Sequence, residues 1–222
     1  MRTARRPCVI ALQPESVFRP FVFLTLLSLL IFGTGAARAA SCTDAILAAE
    51  KEFGIPSGLL LAIALVESGN SGAPAAYAMN VGGKPIMAKS EADAAKYLRD
   101  SRGRLRQGVM AGCMQLSLAH HKAAFHPVER IVSPVENVRY AARYLGRLKS
   151  MTGSWAKAVV RYNGASGKKA QAYQCNVQRR LVSLDADAAS LFDGLNCSKA
   201  STPRISTKTR NAFQTAASEP VS

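Results

Sequence analysis

The chain has 222 residues, with 29 Lys and Arg against 14 Asp and Glu, a formal net charge of +15 at pH 7. Setting aside a targeting segment over residues 1–39 removes five basic side chains and one acidic one and leaves a net charge of +11 on about 180 residues. That length is enough for one domain with a real core and leaves no room for a second.

The first 39 residues read as a signal peptide. Arg2, Arg5, Arg6 and Arg19 precede the apolar run 21–32, and Ala37-Arg38-Ala39 offers small residues for cleavage. The run is shorter than the roughly 20 residues a membrane span needs, and no later stretch could span. Cys8 leaves with the leader, so Cys42, Cys113, Cys175 and Cys197 remain, an even set in an exported chain. Two disulfides are expected, with three pairings open. The rival reading has Cys42 lipidated, although the usual Leu three residues earlier is missing. A basic exported surface suits a polyanion or a carboxylate-bearing polymer better than nucleic acid.

Helical periodicities recur along the chain and strand alternation is nearly absent, so the domain is expected to be mostly α, with no internal repeat. Thr43 can cap a helix running to Phe53, where Gly54 stops it, with Asp44, Glu50 and Glu52 on its exposed face. A second helix follows Pro56-Ser57 and ends near Ser68. Leu59, Leu60, Leu61, Ile63, Leu65 and Val66 leave it no polar face, the pattern of a central buried helix. Residues 72–88 read as a β-hairpin turning at Gly82-Gly83 beside a cleft. An amphipathic helix is expected over 90–104, and a short one over 117–125 closed by Pro127. Ser133-Pro134-Val135-Glu136 has the form of a capping box opening a long helix, with Val138, Tyr140, Ala141, Tyr144, Leu145 and Leu148 on one stripe. Helices over 154–162 and 168–184 follow, separated by Asn163-Gly164. The organisation expected is a signal peptide at 1–39, a folded domain at 40–197 and a disordered basic tail at 198–222.

Glu67 is the candidate for chemistry, its ordinary reading being a solvated helix end before Ser68-Gly69-Asn70. A carboxyl at the end of an all-apolar helix is desolvated, which raises its pKa and lets it hold a proton near neutrality, as a general acid for glycosidic bonds must. Ordinary readings exist for its neighbours: Ser68 as a helix cap, Met114 as core, Asn163 as a helix terminator, Tyr140 and Tyr144 as core.

Four motifs then occur in order: Glu67-Ser68, Gly112-Cys113-Met114-Gln115, Asn137 with Tyr140-Ala141-Ala142-Arg143-Tyr144-Leu145, and Tyr162-Asn163. Over about residues 42–175 the chain resembles the soluble lytic transglycosylase domain. The resemblance implies an α-rich lysozyme-like fold and a peptidoglycan lyase that needs no cofactor and no metal. Glu67 would protonate the MurNAc–GlcNAc oxygen and then act as base while the sugar's C6 hydroxyl closes a 1,6-anhydro ring. Ser68, Met114, Gln115, Tyr162, Asn163 and Tyr140 would bind substrate. The family usually has Gly-Leu-Met-Gln where Cys113 stands, and Ala-Tyr-Asn-Ala-Gly where Arg161-Tyr162-Asn163-Gly164-Ala165 stands.

The rival functions are a hydrolytic lysozyme, for which no second carboxylate sits in a recognisable motif, and an inactive glycan-binding component of an envelope assembly. The partners implied are glycan strands and a secretion apparatus, pilus or flagellum docking at residues 72–110 and the tail. The protein would be a monomer, periplasmic or secreted, with no membrane insertion after cleavage. His120, His121 and His126 read as surface side chains rather than metal ligands. Arg99, Arg102, Arg104 and Arg106 read as a solvated face rather than a nucleic-acid site, and Trp155 as a core anchor.

Overall fold

A computed structural model describes residues 41–198 and 200–219. The leader expected at residues 1–39 lies outside the described residues.

Helix α1 (Cys42–Phe53) is capped by Ser41 rather than Thr43: the Ser41 hydroxyl accepts from the Asp44 N–H at 3.2 Å. It ends at Gly54, whose φ of 59° closes the last turn at little steric cost. Asp44 and Glu52 are exposed as expected. Glu50 is not; it is only 4 % exposed. Four residues beyond Ile46, it falls on the buried stripe of α1, and its carboxyl accepts the Gly58 N–H at 2.8 Å and the Leu61 N–H at 3.0 Å. These are amides that the start of α2 (Leu59–Glu67) would otherwise leave without partners. The side chain of one helix therefore caps the next.

Leu59 to Ala64 have no exposed surface, and Leu65 has 2 %. At about 1.5–3 kcal/mol for each large apolar side chain removed from water, α2 is the densest part of the core. Helices α1 and α7 (Gly167–Leu184) pack on it, while α5 (Pro134–Thr152) packs on α1 and on α6 (Trp155–Asn163). The Pro134 start of α5 is as expected, but the capping box is not made. Ser133 forms no side-chain cap bond, and Glu136 instead accepts from Arg130 Nε at 2.6 Å. Trp155 packs on the core only partly buried.

After α2, strands β1 (Gly69–Asn70) and β2 (Ala73–Pro74) form a small antiparallel pair. The expected hairpin is β3 (Ala78–Val81) and β4 (Lys84–Met87), turning at Gly82-Gly83. It belongs to a larger antiparallel sheet that adds β5 (Val109–Ala111) and β6 (Leu116–Ser117), in the order β4-β3-β5-β6.

The helix expected over 90–104 stops early. Helix α3 (Glu91–Ala95) runs into a 3-10 turn at Lys96–Leu98, and Arg99 is extended. The Asp100 carboxylate accepts the N–H groups of Arg102 and Arg104, both at 2.9 Å, so a local turn replaces helical bonding. Helix α4 (Leu118–His121) continues as a 3-10 turn over Lys122–Ala124.

Beyond Cys197 the structure corrects the expectation of a disordered tail. Helix α8 (Thr207–Ser218) starts at Ser206, which accepts the Thr209 N–H at 3.1 Å, and packs on α1. Ile205, Thr209 and Phe213, four residues apart, form its buried side. Cys42 is bonded to Cys113 and Cys175 to Cys197, which selects one of the three pairings and leaves no free Cys42 sulfur for a lipid.

Candidate active site

Glu67 is the last residue of α2 and is half-buried. Tyr173, on the inner face of α7, donates its hydroxyl to Glu67 Oε1 at 2.6 Å. Burial pushes the Glu67 pKa above the ordinary carboxylate value, while the bonds from Tyr173 and from the Asn163 side chain pull it back in part. Tyr162 and Tyr173 are both driven well above the usual phenol range, by burial first and then by the Glu67 charge. Both phenols therefore stay protonated and can donate.

The next residue anchors this helix end. Ser68 is 6 % exposed; its hydroxyl donates to the Cys113 carbonyl at 2.8 Å and accepts the Ala75 N–H at 3.3 Å. It is outside the lining of the cleft described below, and its hydroxyl bonds join α2 to the Gly112–Gln115 loop.

That loop is the junction of the site. Fully buried Asn137 accepts the Met114 N–H at 3.0 Å and donates to the carbonyls of Ala111 at 2.9 Å and Ile131 at 2.8 Å. The Asn137 amide crowds Gly112 so closely that a Cβ there would lie 2.6 Å from Nδ2, at a φ of 74° that already favours glycine. Met114 has no exposed surface and is core, not the cleft floor expected for it, but its carbonyl accepts the Tyr162 hydroxyl at 2.9 Å. Gln115 has a φ of 46° and donates its amide to the carbonyls of Ala78 at 3.0 Å and Gly112 at 2.9 Å. With the Cys42–Cys113 bond, the loop is tied to α1, α2, β3, α5 and α6.

Against the loop lies a cleft of about 620 Å³ lined by residues of β5 and β6, α4, α5 and α6. Its lining includes Gln115, Tyr140, Tyr144, Tyr162 and Asn163. Glu67 is not part of that lining; Asn163, which lines the cleft, lies near enough to the carboxyl for its side chain to lower the Glu67 pKa. The hairpin over residues 72–88 was expected beside the cleft, whereas this lining takes its strand residues from β5 and β6, through Met110, Leu116 and Ser117. Tyr140 is half-buried in the lining, with its hydroxyl 2.9 Å from His121 Nδ1. The rings of His121, Tyr140, Tyr144 and Tyr162 pack in sequence, with centroids 5.0 to 6.3 Å apart.

Two residues escape the sequence reading. Tyr173 gives no motif signal, though a tyrosine on the apolar stripe with Ala170, Val177 and Leu181 must find a partner for its hydroxyl. His121, read as a surface side chain, is half-buried in the cleft wall; its pKa is lowered by burial first, then by His120 and Arg147. His120 and His126 are exposed as expected. Among the described residues, no cluster of three His, Cys, Asp or Glu could hold a metal ion.

A second hollow, of about 680 Å³, lies between α1, the turn before α2 and the end of α8, lined by Leu47, Ile55, Pro56 and Ala216 among others. It is at the opposite end of α2 from Glu67, its lining includes the buried Glu50, and none of the motif residues is part of it. The family model of the transglycosylase SLT domain matches residues 44–180, whereas no curated protein and no solved structure matches the chain.

Proposed function

The chain belongs to the transglycosylase SLT-domain family, and from that premise we propose that Glu67 is the single acid/base of a non-hydrolytic cleavage of the MurNAc–GlcNAc β-1,4 bond. Members of this family are lytic transglycosylases that act on peptidoglycan, and their fold is α-rich and lysozyme-like.

The observation that carries the proposal is the setting of the Glu67 carboxyl: poorly hydrated, hydrogen-bonded by Tyr173, and neighboured by Asn163 of the cleft wall. In the first step its proton passes to the glycosidic oxygen as the C1–O bond breaks and charge develops on the MurNAc ring. The carboxylate left behind keeps the hydrogen bond from Tyr173, with the Asn163 side chain close by. In the second step it takes the proton of the C6 hydroxyl as O6 bonds to C1, which restores the acid and leaves a 1,6-anhydro end. No water is consumed. Gln115, Tyr162, Asn163 and Tyr140 supply the polar and aromatic wall along the strand.

A hydrolase would need a second carboxylate about 5 to 9.5 Å from the first. Among the described residues, the cleft lining carries no Asp or Glu. Glu50, the other buried carboxyl, holds the Gly58 amide, nine residues back along the helix, or about 13 Å at about 1.5 Å per residue. Two disulfides suit an oxidising compartment, in keeping with a periplasmic or secreted site of action. Among the described residues, no helix is long and apolar enough to cross a membrane.

Mass spectrometry of muropeptides released from purified sacculi tests the proposal. Anhydro ends, one water lighter than reducing ends, are the expected product. Reducing ends alone would make the protein a hydrolase.

A further inference from the structure

Arg161 stands where the family usually carries alanine, immediately before Tyr162 in the cleft wall. It is exposed, lines the cleft, and among the described residues has no ion pair and no hydrogen bond. His120 and His121 of α4 line the same cleft, and Arg147 stands close enough to His121 for its charge to be felt there. Among the described residues, no acidic side chain in the lining offsets the Arg161 charge. Exposed Arg102, Arg143, Arg147 and Arg204 likewise have no ion pair among the described residues, so it is the place in the cleft wall that sets Arg161 apart; four other arginines are paired. Arg99 pairs with Glu129, Arg104 with Asp100, Arg130 with Glu136 and Arg139 with Glu52.

We infer that Arg161 forms a carboxylate-binding subsite in the cleft, which holds an acid group carried by MurNAc and so makes the protein selective for anionic strands. The inference rests on the cleft being the glycan site. GlcNAc is neutral, and so is the MurNAc ring itself. The carboxylates of a strand belong to the peptide stems, or to the lactyl group once a stem is removed. A guanidinium suits either, because its planar fork can donate two parallel N–H bonds to one carboxylate. Because the site is open to solvent, the expected contribution is modest, a factor of about five in affinity.

The test is binding of the full-length mature chain carrying Glu67→Gln, which does not consume its ligand, to three insoluble preparations. These are intact sacculi, stripped sacculi whose strands, freed of stems by an amidase, are fixed to an insoluble support, and sacculi whose carboxylates have been converted chemically to amides. Arg161→Ala added to that background should weaken binding to intact sacculi about fivefold at low salt, less at high salt. Arg161→Lys should recover part of the loss. On amidated sacculi the chains should bind alike. A difference that persists on stripped sacculi assigns the subsite to the lactyl carboxylate, and one that vanishes there assigns it to the stem. Equal weakening on all three preparations, or on none, overturns the inference. Binding does not depend on turnover, so absence of anhydro product from the wild-type chain would count against the proposed reaction alone.

Discussion

Replacing Asn137 by alanine should unfold the junction on which the candidate site is built. The side chain has no exposed surface, and its three hydrogen bonds satisfy the Met114 N–H and the carbonyls of Ala111 and Ile131. Each buried partner left unpaired costs about 1–3 kcal/mol, and neighbouring losses are not additive. A loss of about 3–5 kcal/mol is therefore expected, a large share of the roughly 5–15 kcal/mol that holds a domain together. With a slope of about 2 kcal/mol per molar urea, the unfolding midpoint should fall by about 2 M. Asn137→Asp should also be destabilised: it keeps an acceptor for Met114 but turns a buried oxygen toward two carbonyls. Urea titration followed by circular dichroism reads both variants, and a midpoint lowered by less than about 0.5 M would refute the clamp role of Asn137.

Two further predictions concern protons. Tyr173→Phe removes a bond that lowers the Glu67 pKa, so the carboxyl should stay protonated to higher pH. The alkaline limb of the pH–rate profile should then move upward, and a limb unmoved or moved down would contradict the assignment. Glu50 is raised to about 7, because burial outweighs its bonds from the α2 amides. A folded pKa above the unfolded value means that the stability present below about pH 4.5 is lost as pH rises through about 7. The loss approaches roughly 3 kcal/mol, at 1.36 kcal/mol per unit. Glu50→Gln should flatten that part of the urea midpoint–pH curve between about pH 4.5 and 8, apart from a constant offset; parallel curves for the two chains would show that Glu50 does not titrate in this way.

Much of the fold was legible because single residues announce it. Gly54 and Gly164 end helices where they stand, and the all-apolar run of α2 required a buried central helix with Glu67 at its tip. Glu50 was misplaced because residue class was given more weight than position: it lies four residues after Ile46, on the same stripe. The same holds for α8, where a polar composition hid Ile205, Thr209 and Phe213 at a four-residue spacing. Within the site, the sequence located the motifs but not the direction their side chains take. Ser68 and Asn137 spend their polar groups on backbone partners as many as 45 residues away, and the Met114 carbonyl accepts from Tyr162 48 residues on, choices made by packing that no local pattern records. Tyr173 reaches Glu67 from 106 residues along the chain, which only the folded arrangement of α2 and α7 could reveal. The turn at Asp100 was hidden because its side chain competes for amides that helical periodicity assigns to the helix.

Release of soluble fragments from purified sacculi by the Glu67→Gln chain, measured beside the wild type, tests most directly whether one carboxyl performs both proton transfers. The substitution keeps shape and removes the proton, so the urea midpoint should hold while the rate falls at least about 100-fold, the usual worth of a general acid. A variant that stays folded and releases anhydro-muropeptides at close to the wild-type rate would contradict it.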